Sequence, residues 1–450
     1  VRDVNINTEF FGRIEVNKDV AAPEQLHVDA PVRTAALPVS RTPLVDAIMA
    51  SAKRNFNPPD IQMQNDPWEY AKYLTDKFIE WAFVPGFKET IQVAYQKDLL
   101  TFNVADYLEW LALKGGAYKS ALEAECSGDL LELGLEKFDT IVKRRIKPKL
   151  NVSAQYELSQ PQVIVSNSKK DTALFTSVFR KIFERFDHAL RPEIKSAGRL
   201  SDDAISEWLT EHATEIRAFS AIEIDSSKYD KSQNLLARMI EALVMQALGL
   251  DPQVSEIFED SYVGRVSSKS LGLMFISSYQ MKSGGPQTMI GNLIYNMVSA
   301  MESIKADNIQ MMIAKGDDNI VWLRRAVKGD EEVARISGLF NLEAKLLTDN
   351  VLYFSSGYVT PVGDKFYFVP DPLKMVELVG EMGASSETVH ERFISFQDRV
   401  SSITRDHGIP VVLQQLVRAR MQVPDLDVLM CVDALASLAG NFELFKETVT

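Results

Sequence analysis

A glycine followed by two aspartates, Gly316-Asp317-Asp318, separates two short apolar runs, residues 310–314 and 320–323. The pattern leaves the chain few options. Met, Ile, Val and Trp on both sides supply strand character, and glycine supplies the backbone freedom of a tight turn, so the segment reads as a β-hairpin with two adjacent carboxylates at its tip. Two like charges side by side repel, and such a turn tolerates them most readily when a cation lies between them.

A second carboxylate strand lies at residues 221–230, AIEIDSSKYD. Ile222 and Ile224 alternate with Glu223 and Asp225, the period of a half-buried strand that turns its acids outward. Asp225 ends this strand, and Asp230 follows just before a helix predicted over residues 231–248, with Gly249 and Pro252 as stop signals. Carboxylate oxygens brought together in this way suit hard divalent cations such as Mg²⁺ or Mn²⁺, with substrate phosphate and water completing the shell. Two such ions about 3.5–4 Å apart stabilise the attacking and leaving oxygens of an in-line phosphoryl displacement.

Between the two lies KSGGPQTMIGNLIYN, residues 282–296. Ser283-Gly284-Gly285-Pro286 is a loop by composition, and the apolar spacing after it predicts a buried helix. Thr288, Asn292 and Asn296 fall on one face of that helix at four-residue steps. A flexible glycine loop that opens onto a polar helix face suits recognition of a nucleotide's sugar.

At 450 residues the chain is long for one core, and its 46% hydrophobic and 25% charged content is that of an ordinary globular protein. No apolar run approaches the roughly 20 residues of a membrane span, and the start lacks a signal-peptide pattern. A first residue Val1 rather than Met is expected of a processed product or an excised domain. Cys126 and Cys431 are the only cysteines, which excludes a disulfide framework and a thiolate metal site and fits a reducing compartment. The five histidines are scattered singly. A net charge of −13 argues mildly against a nucleic-acid binder, but residues 137–170 hold eight basic side chains (Lys137, Lys143, Arg144, Arg145, Lys147, Lys149, Lys169, Lys170) against Asp139 and Glu157. That run could line an RNA or nucleotide channel, and by composition alone a solvated face is an equal alternative.

Residues 1 to about 60 read as extended and loop-rich. Helical spacing dominates from Pro67 to Lys137, where Trp68, Tyr70, Tyr73, Phe78 and Trp81 form an aromatic stripe expected in the core. Ser201-Asp202-Asp203 and Asp330-Glu331-Glu332 read as helix starts rather than as further acidic sites. Amphipathic helix returns after Lys374, with breaks at Gly408, Pro410 and Pro424. Helices before, between and after a few strands predict an α+β architecture.

In order and spacing these pieces resemble the polymerase domain of alphavirus-like positive-strand RNA virus replicases, especially the tobamovirus and other virga-like ones. Asp225…Asp230 within SKYDKSQ matches the first motif of that family, Ser283-Gly284…Thr288…Asn292 the second, and Gly316-Asp317-Asp318 the third. Asn341-Leu342-Glu343-Ala344-Lys345 is similar to the fourth, and Asp371-Pro372-Leu373-Lys374 to a stretch near the last subdomain. Val32-Arg33-Thr34-Ala35-Ala36 and Lys53-Arg54-Asn55-Phe56-Asn57 resemble segments that lead into the domain. Lys315 departs from the small or apolar residue common before the turn, and the loop around 355–358 is only loosely similar.

The resemblance implies a right-hand fold with an antiparallel palm sheet: fingers over 1–215 with an inserted segment about 252–280, palm over 216–370, thumb over 371–450. It implies an RNA-directed RNA polymerase that extends a nascent strand on an RNA template from nucleoside triphosphates, with Mg²⁺ or Mn²⁺ held by Asp225, Asp317 and Asp318. It makes Lys345 the residue that protonates or steadies the leaving pyrophosphate. Asp230, Ser283, Gly284, Thr288 and Asn292 become the ribose-reading set, and Lys147, Lys149, Lys169 and Lys170 candidate triphosphate or RNA contacts. It further implies capping and helicase partners elsewhere in the replicase, and work in host cytoplasm within membrane-associated replication complexes. Two alternatives remain: a reverse transcriptase, and a polymerase-like RNA-binding scaffold without activity.

Overall fold

The computed structural model describes residues 15–16, 48, 50–51, 66–125, 133–142, 163–227, 229–268, 272–348, 351–380 and 388–449. Residues 32–36 and 53–57, Lys147 and Lys149 lie outside the described residues.

Among the described residues, three sheets together with helices bear out the α+β expectation. The central sheet has five strands in the order Glu343–Leu347, Ser220–Ser227, Asp318–Leu323, Ile309–Lys315, Ile194–Ser196. Its first four strands are antiparallel, while Ile194–Ser196 runs parallel to Ile309–Lys315, so the sheet is mixed rather than wholly antiparallel as the resemblance implies. That short strand arrives from the preceding helix, Lys169–Ala189, rather than through a hairpin, and so it is free to take the parallel sense. A second sheet joins Lys137–Val142 and Val163–Ser166 to the hairpin Val263–Ser268/Leu273–Ser278, with Glu15–Val16 at its edge. A third, three-stranded sheet runs from Tyr353 to Pro370.

Behind the central sheet lies the helix Thr288–Ile304, in which every residue from Ile290 to Ile304 is buried. It packs against the helices Pro67–Ala82, Leu235–Ala247 and Asp330–Phe340 and against the Ile309–Lys315 strand. Each large apolar side chain removed from water here contributes about 1.5–3 kcal/mol. Burial on every side also forces the polar residues of this helix to find partners inside the protein.

Three local expectations are corrected. The helix predicted over 231–248 breaks at Gln233–Asn234 into Tyr229–Ser232 and Leu235–Ala247, because Asn234 takes the N-cap, its side chain accepting from the Ala237 N–H. The aromatic stripe is only half core: Phe78 and Trp81 are buried, whereas Trp68 and Tyr73 are exposed, with the ammonium groups of Lys72 and Lys77 over their respective rings. Glu223, expected to face outward, is buried. Arg420, from the helix Gly408–Met421, grips both its carboxylate oxygens at 3.0 and 3.1 Å, and the Tyr353 N–H donates to it at 2.6 Å. A bidentate guanidinium and a backbone donor together compensate its desolvation. This pair joins the central sheet to the C-terminal helices, which carry an apolar core of their own around Phe396, Ile403, Leu413 and Phe445.

Candidate active site

The turn at Gly316 has φ +62°, a left-handed conformation that suits glycine, and it closes the hairpin between Ile309–Lys315 and Asp318–Leu323. Asp317 and Asp318 are both exposed at its tip. On the neighbouring strand the ladder pairs Glu223 with Ile320, and continuing that register sets Asp225 level with Asp318. Asp225 is exposed as well, and its direct antiparallel partner on the other side is Lys345. Residues directly opposite in a ladder share a face of the sheet, with Cβ atoms about 4.5–5.5 Å apart. Three carboxylates and one ammonium therefore gather at a single end of the sheet.

Two amides hold this end together. Asn296, buried in the central helix, donates to the Gly316 carbonyl at 3.0 Å and to the Asp318 carbonyl at 3.4 Å. Its oxygen accepts from Asn319 Nδ2 at 2.7 Å, and Asn319 Oδ1 in turn accepts from the Ile224 N–H at 3.3 Å. The turn, the central helix and the strand that carries Asp225 are thus stitched through two side chains. The sequence reading placed Asn296 on the polar face but overlooked Asn319, whose signal was a lone amide at the head of the apolar run 320–323.

Asp230 and Asn292, distant in sequence, meet: Asn292 Nδ2 donates to Asp230 Oδ1 at 3.0 Å. Burial pushes the neighbouring Tyr229 hydroxyl well above its ordinary range, and the charges of Tyr295, Asp317 and Asp230 add to the push. One ring therefore feels both the turn carboxylate and the Asp230 carboxylate. Thr288 and Ser283 serve the loop itself. The Thr288 hydroxyl lies 2.8 Å from the carbonyls of Lys282 and Gly285 and ties loop to helix. Ser283 Oγ makes only long contacts, 3.4–3.5 Å, to the backbone of Val165 and Val163 on the second sheet. The Gly284 N–H donates to the Val165 carbonyl at 2.9 Å, and a Cβ at Gly284 would lie 2.7 Å from that of Ser166, so this close approach requires glycine. Of the basic stretch, Lys169 and Lys170 open the helix Lys169–Ala189 beside a surface cavity of about 470 Å³ lined also by Lys137, Asp139, Ser168 and Asp171.

Among the described residues, no group of three or more His, Cys, Asp or Glu side chains is drawn tightly enough to hold a metal ion by itself. The donor set nevertheless fits one. Asp225, Asp317 and Asp318 offer only oxygen and are exposed, and Mg²⁺ is commonly held by one or two carboxylates with phosphate and water completing its shell. The fold and this site together suit an enzyme of metal-assisted phosphoryl transfer.

Comparison with known proteins sharpens that class. A family model described as RNA dependent RNA polymerase matches residues 3–448. The "RNA replication protein" of Citrus leprosis virus C is 27% identical over 457 residues, covering 99% of this chain and 17% of the relative. The "RNA-directed RNA polymerase" of Barley stripe mosaic virus is 26% identical, covering 92% of this chain and 53% of the relative, and the "Replicase large subunit" of Sunn-hemp mosaic virus is 25% identical, covering 99% and 27%. This chain belongs to the RNA-dependent RNA polymerase family, and the resemblance to alphavirus-like replicases is borne out. It spans between about a sixth and about half of the length of these relatives.

Proposed function

We propose that the chain catalyses template-directed RNA synthesis from nucleoside triphosphates. The observation that carries this reading is the gathering of Asp225, Asp317 and Asp318 at one end of the central sheet, with Lys345 paired beside Asp225. Divalent cations bound there would lower the charge on the triphosphate and polarise the attacking 3′-hydroxyl. The protein's own part is to position. Asp225 and Asp317 would carry those cations, which set the reacting phosphate in line with the 3′-hydroxyl, and Asp318 would assist from the same turn. Lys345 delivers a proton to the leaving pyrophosphate or steadies its charge. Asp230 and Asn292 read the ribose hydroxyls. A polar sugar-reading pair, together with membership of the family, favours RNA synthesis over reverse transcription.

In this reading the third sheet and the central sheet without its strand Ile194–Ser196 form the palm (216–370), the second sheet and the N-terminal helices the fingers (1–215 with 252–280), and the C-terminal helices the thumb (371–450). The pairing of 137–142 with 263–268 in one sheet supports the inserted finger segment. Template, nascent RNA and nucleoside triphosphates are the ligands, and Lys169 and Lys170, with Lys147 and Lys149, are candidates to meet phosphate. Relatives named replicase polyproteins support other replicase domains as partners, while capping and helicase domains among them and work in host cytoplasm rest on the family resemblance. Among the described residues no single helix is long and apolar enough to cross a membrane.

The test is nucleotide incorporation on an RNA template with added Mg²⁺, comparing wild type with Asp317→Ala. Positioning and charge stabilisation supply most of phosphoryl-transfer catalysis, so the variant should lose essentially all elongation while its circular dichroism stays unchanged. Elongation by Asp317→Ala at the wild-type rate would overturn the assignment.

A further inference from the structure

Behind the Asp230–Asn292 pair runs a buried chain of hydrogen bonds whose direction is set at its far end. Arg238, 1% exposed on the helix Leu235–Ala247, contacts Gln233 Oε1, the Glu241 carboxylate and, at 3.4 Å, Met281 Sδ. Gln233, fully buried in the helix break, donates through Nε2 to Asn292 Oδ1 at 2.6 Å. Asn292 then donates to Asp230. A guanidinium can only donate, and an ionised carboxylate can only accept. Two amides strung between them have one consistent orientation: Gln233 must give its oxygen to Arg238, which turns its NH₂ toward Asn292, which turns the Asn292 NH₂ toward Asp230. Turning Asn292 over would set NH₂ against NH₂ at one end and oxygen against carboxylate at the other.

The far end is itself braced. Glu241, 2% exposed, balances the Arg238 charge. A Cβ at Gly291 would lie 2.8 Å from Glu241 Cδ, so the turn that carries Asn292 rests directly on this ion pair. Lys282, buried at the root of the Ser283-Gly284 loop, donates to the Tyr262 carbonyl at 2.7 Å and lies over the Phe138 ring.

We propose that Gln233 and Arg238 are positioning residues for sugar selection, fixing the direction in which Asn292 presents its amide to Asp230 and to the ribose. The inference rests on the reading of Asp230 and Asn292 as the ribose-reading pair. Gln233→Glu conserves shape and the contact with Arg238 but offers Asn292 an acceptor where it needs a donor. The Asn292 amide is then driven to turn its oxygen toward Asp230.

The experiment is single-nucleotide incorporation of a matched ribo/deoxy pair on one RNA template by wild type, Gln233→Glu, Asn292→Ala and the double variant. Gln233→Glu should lower kcat/KM for the ribonucleotide by about 10–100-fold, the scale of one or two misdirected buried hydrogen bonds, and leave the deoxynucleotide within about threefold. Added to Asn292→Ala it should change nothing further, since both act on one interaction. Should Gln233→Glu not fold, Gln233→Met, which lacks both polar ends, should lower the same ratio at least about fivefold. An equal loss for both nucleotides in the Gln233 variants, beside a selective loss in Asn292→Ala, would overturn the positioning role and leave the ribose reading standing. An unchanged ratio in Asn292→Ala itself would overturn both.

Discussion

The two polar regions of the site are built on opposite plans. At the sheet end, Asp225, Asp317, Asp318 and Lys345 all stand exposed, and the supporting amides Asn296 and Asn319 bond mainly to backbone. Behind Asp230, the side chains of Asn292, Gln233, Arg238 and Glu241 are buried and bond to one another. On the proposed function, the difference follows from what each region would do. Groups that wait for cations and triphosphate need access to solvent, because those ligands arrive from it. Groups that distinguish one hydroxyl from none need a fixed direction before the sugar arrives, and burial with matched donors and acceptors supplies it.

The comparison is broken most sharply at Lys345. If exposed groups carry chemistry rather than structure, Lys345→Leu should slow incorporation by roughly 10²–10⁴-fold, alter the pH–rate profile and leave folding and nucleotide affinity nearly unchanged. Pre-steady-state incorporation over a range of pH checks it. A defect wholly in nucleotide affinity would turn Lys345 into a triphosphate clamp and blur the division between the regions.

Asn296 tests the support beneath the exposed end. Asn296→Leu leaves the Gly316 and Asp318 carbonyls and the Asn319 amide without this partner. Stranding buried polar groups costs about 1–3 kcal/mol each, so global stability should fall by about 2–4 kcal/mol in urea titration, with activity falling because the turn carboxylates shift. A variant with wild-type stability would mean that the exposed end holds itself in place.

Much of this was legible in the sequence because it is local. A glycine between apolar runs announces its hairpin, and a glycine loop before apolar spacing announces the buried helix. What escaped depends on partners far along the chain. Glu223 reads as an outward acid until Arg420, 197 residues away, closes on it. Apolar spacing carried the predicted helix through Gln233–Asn234, although Asn234 is a cap and Gln233 is the residue the buried relay needs outside a regular helix. Arg238 and Glu241, the two charges in LLARMIEALVMQA and three residues apart, were the visible trace of that relay. Charges embedded in an apolar helix face call for a partner, but a sequence does not say which one.

The smallest effect comes from a carboxylate that belongs to neither plan. Asp187, on the helix Lys169–Ala189, has its Oδ1 buried without a hydrogen-bond partner. Burial pushes its pKa up to about 6 from 3.8, with Ser196, Arg199 and Lys195 pulling the other way. A carboxyl raised in the folded state binds its proton more tightly there than in the unfolded chain. Its contribution to stability is therefore full below about pH 3.8 and is lost as the pH rises through about 6. Asp187→Asn removes that loss. It should be more stable than wild type above pH 6, by on the order of 1 kcal/mol once partial exposure is discounted, and the advantage should shrink as the pH falls toward 4. Urea midpoints of both proteins at pH 7.5 and pH 4.5 measure it. The Gln233 and Asn292 amides behind Asp230 are matched, and losing either should destabilise, whereas Asp187 Oδ1 has no partner, and losing the charge there should stabilise. An advantage for Asp187→Asn that is equal at both pH values would show that its charge is not the cause, and matching would then fail to separate the two kinds of buried polar group.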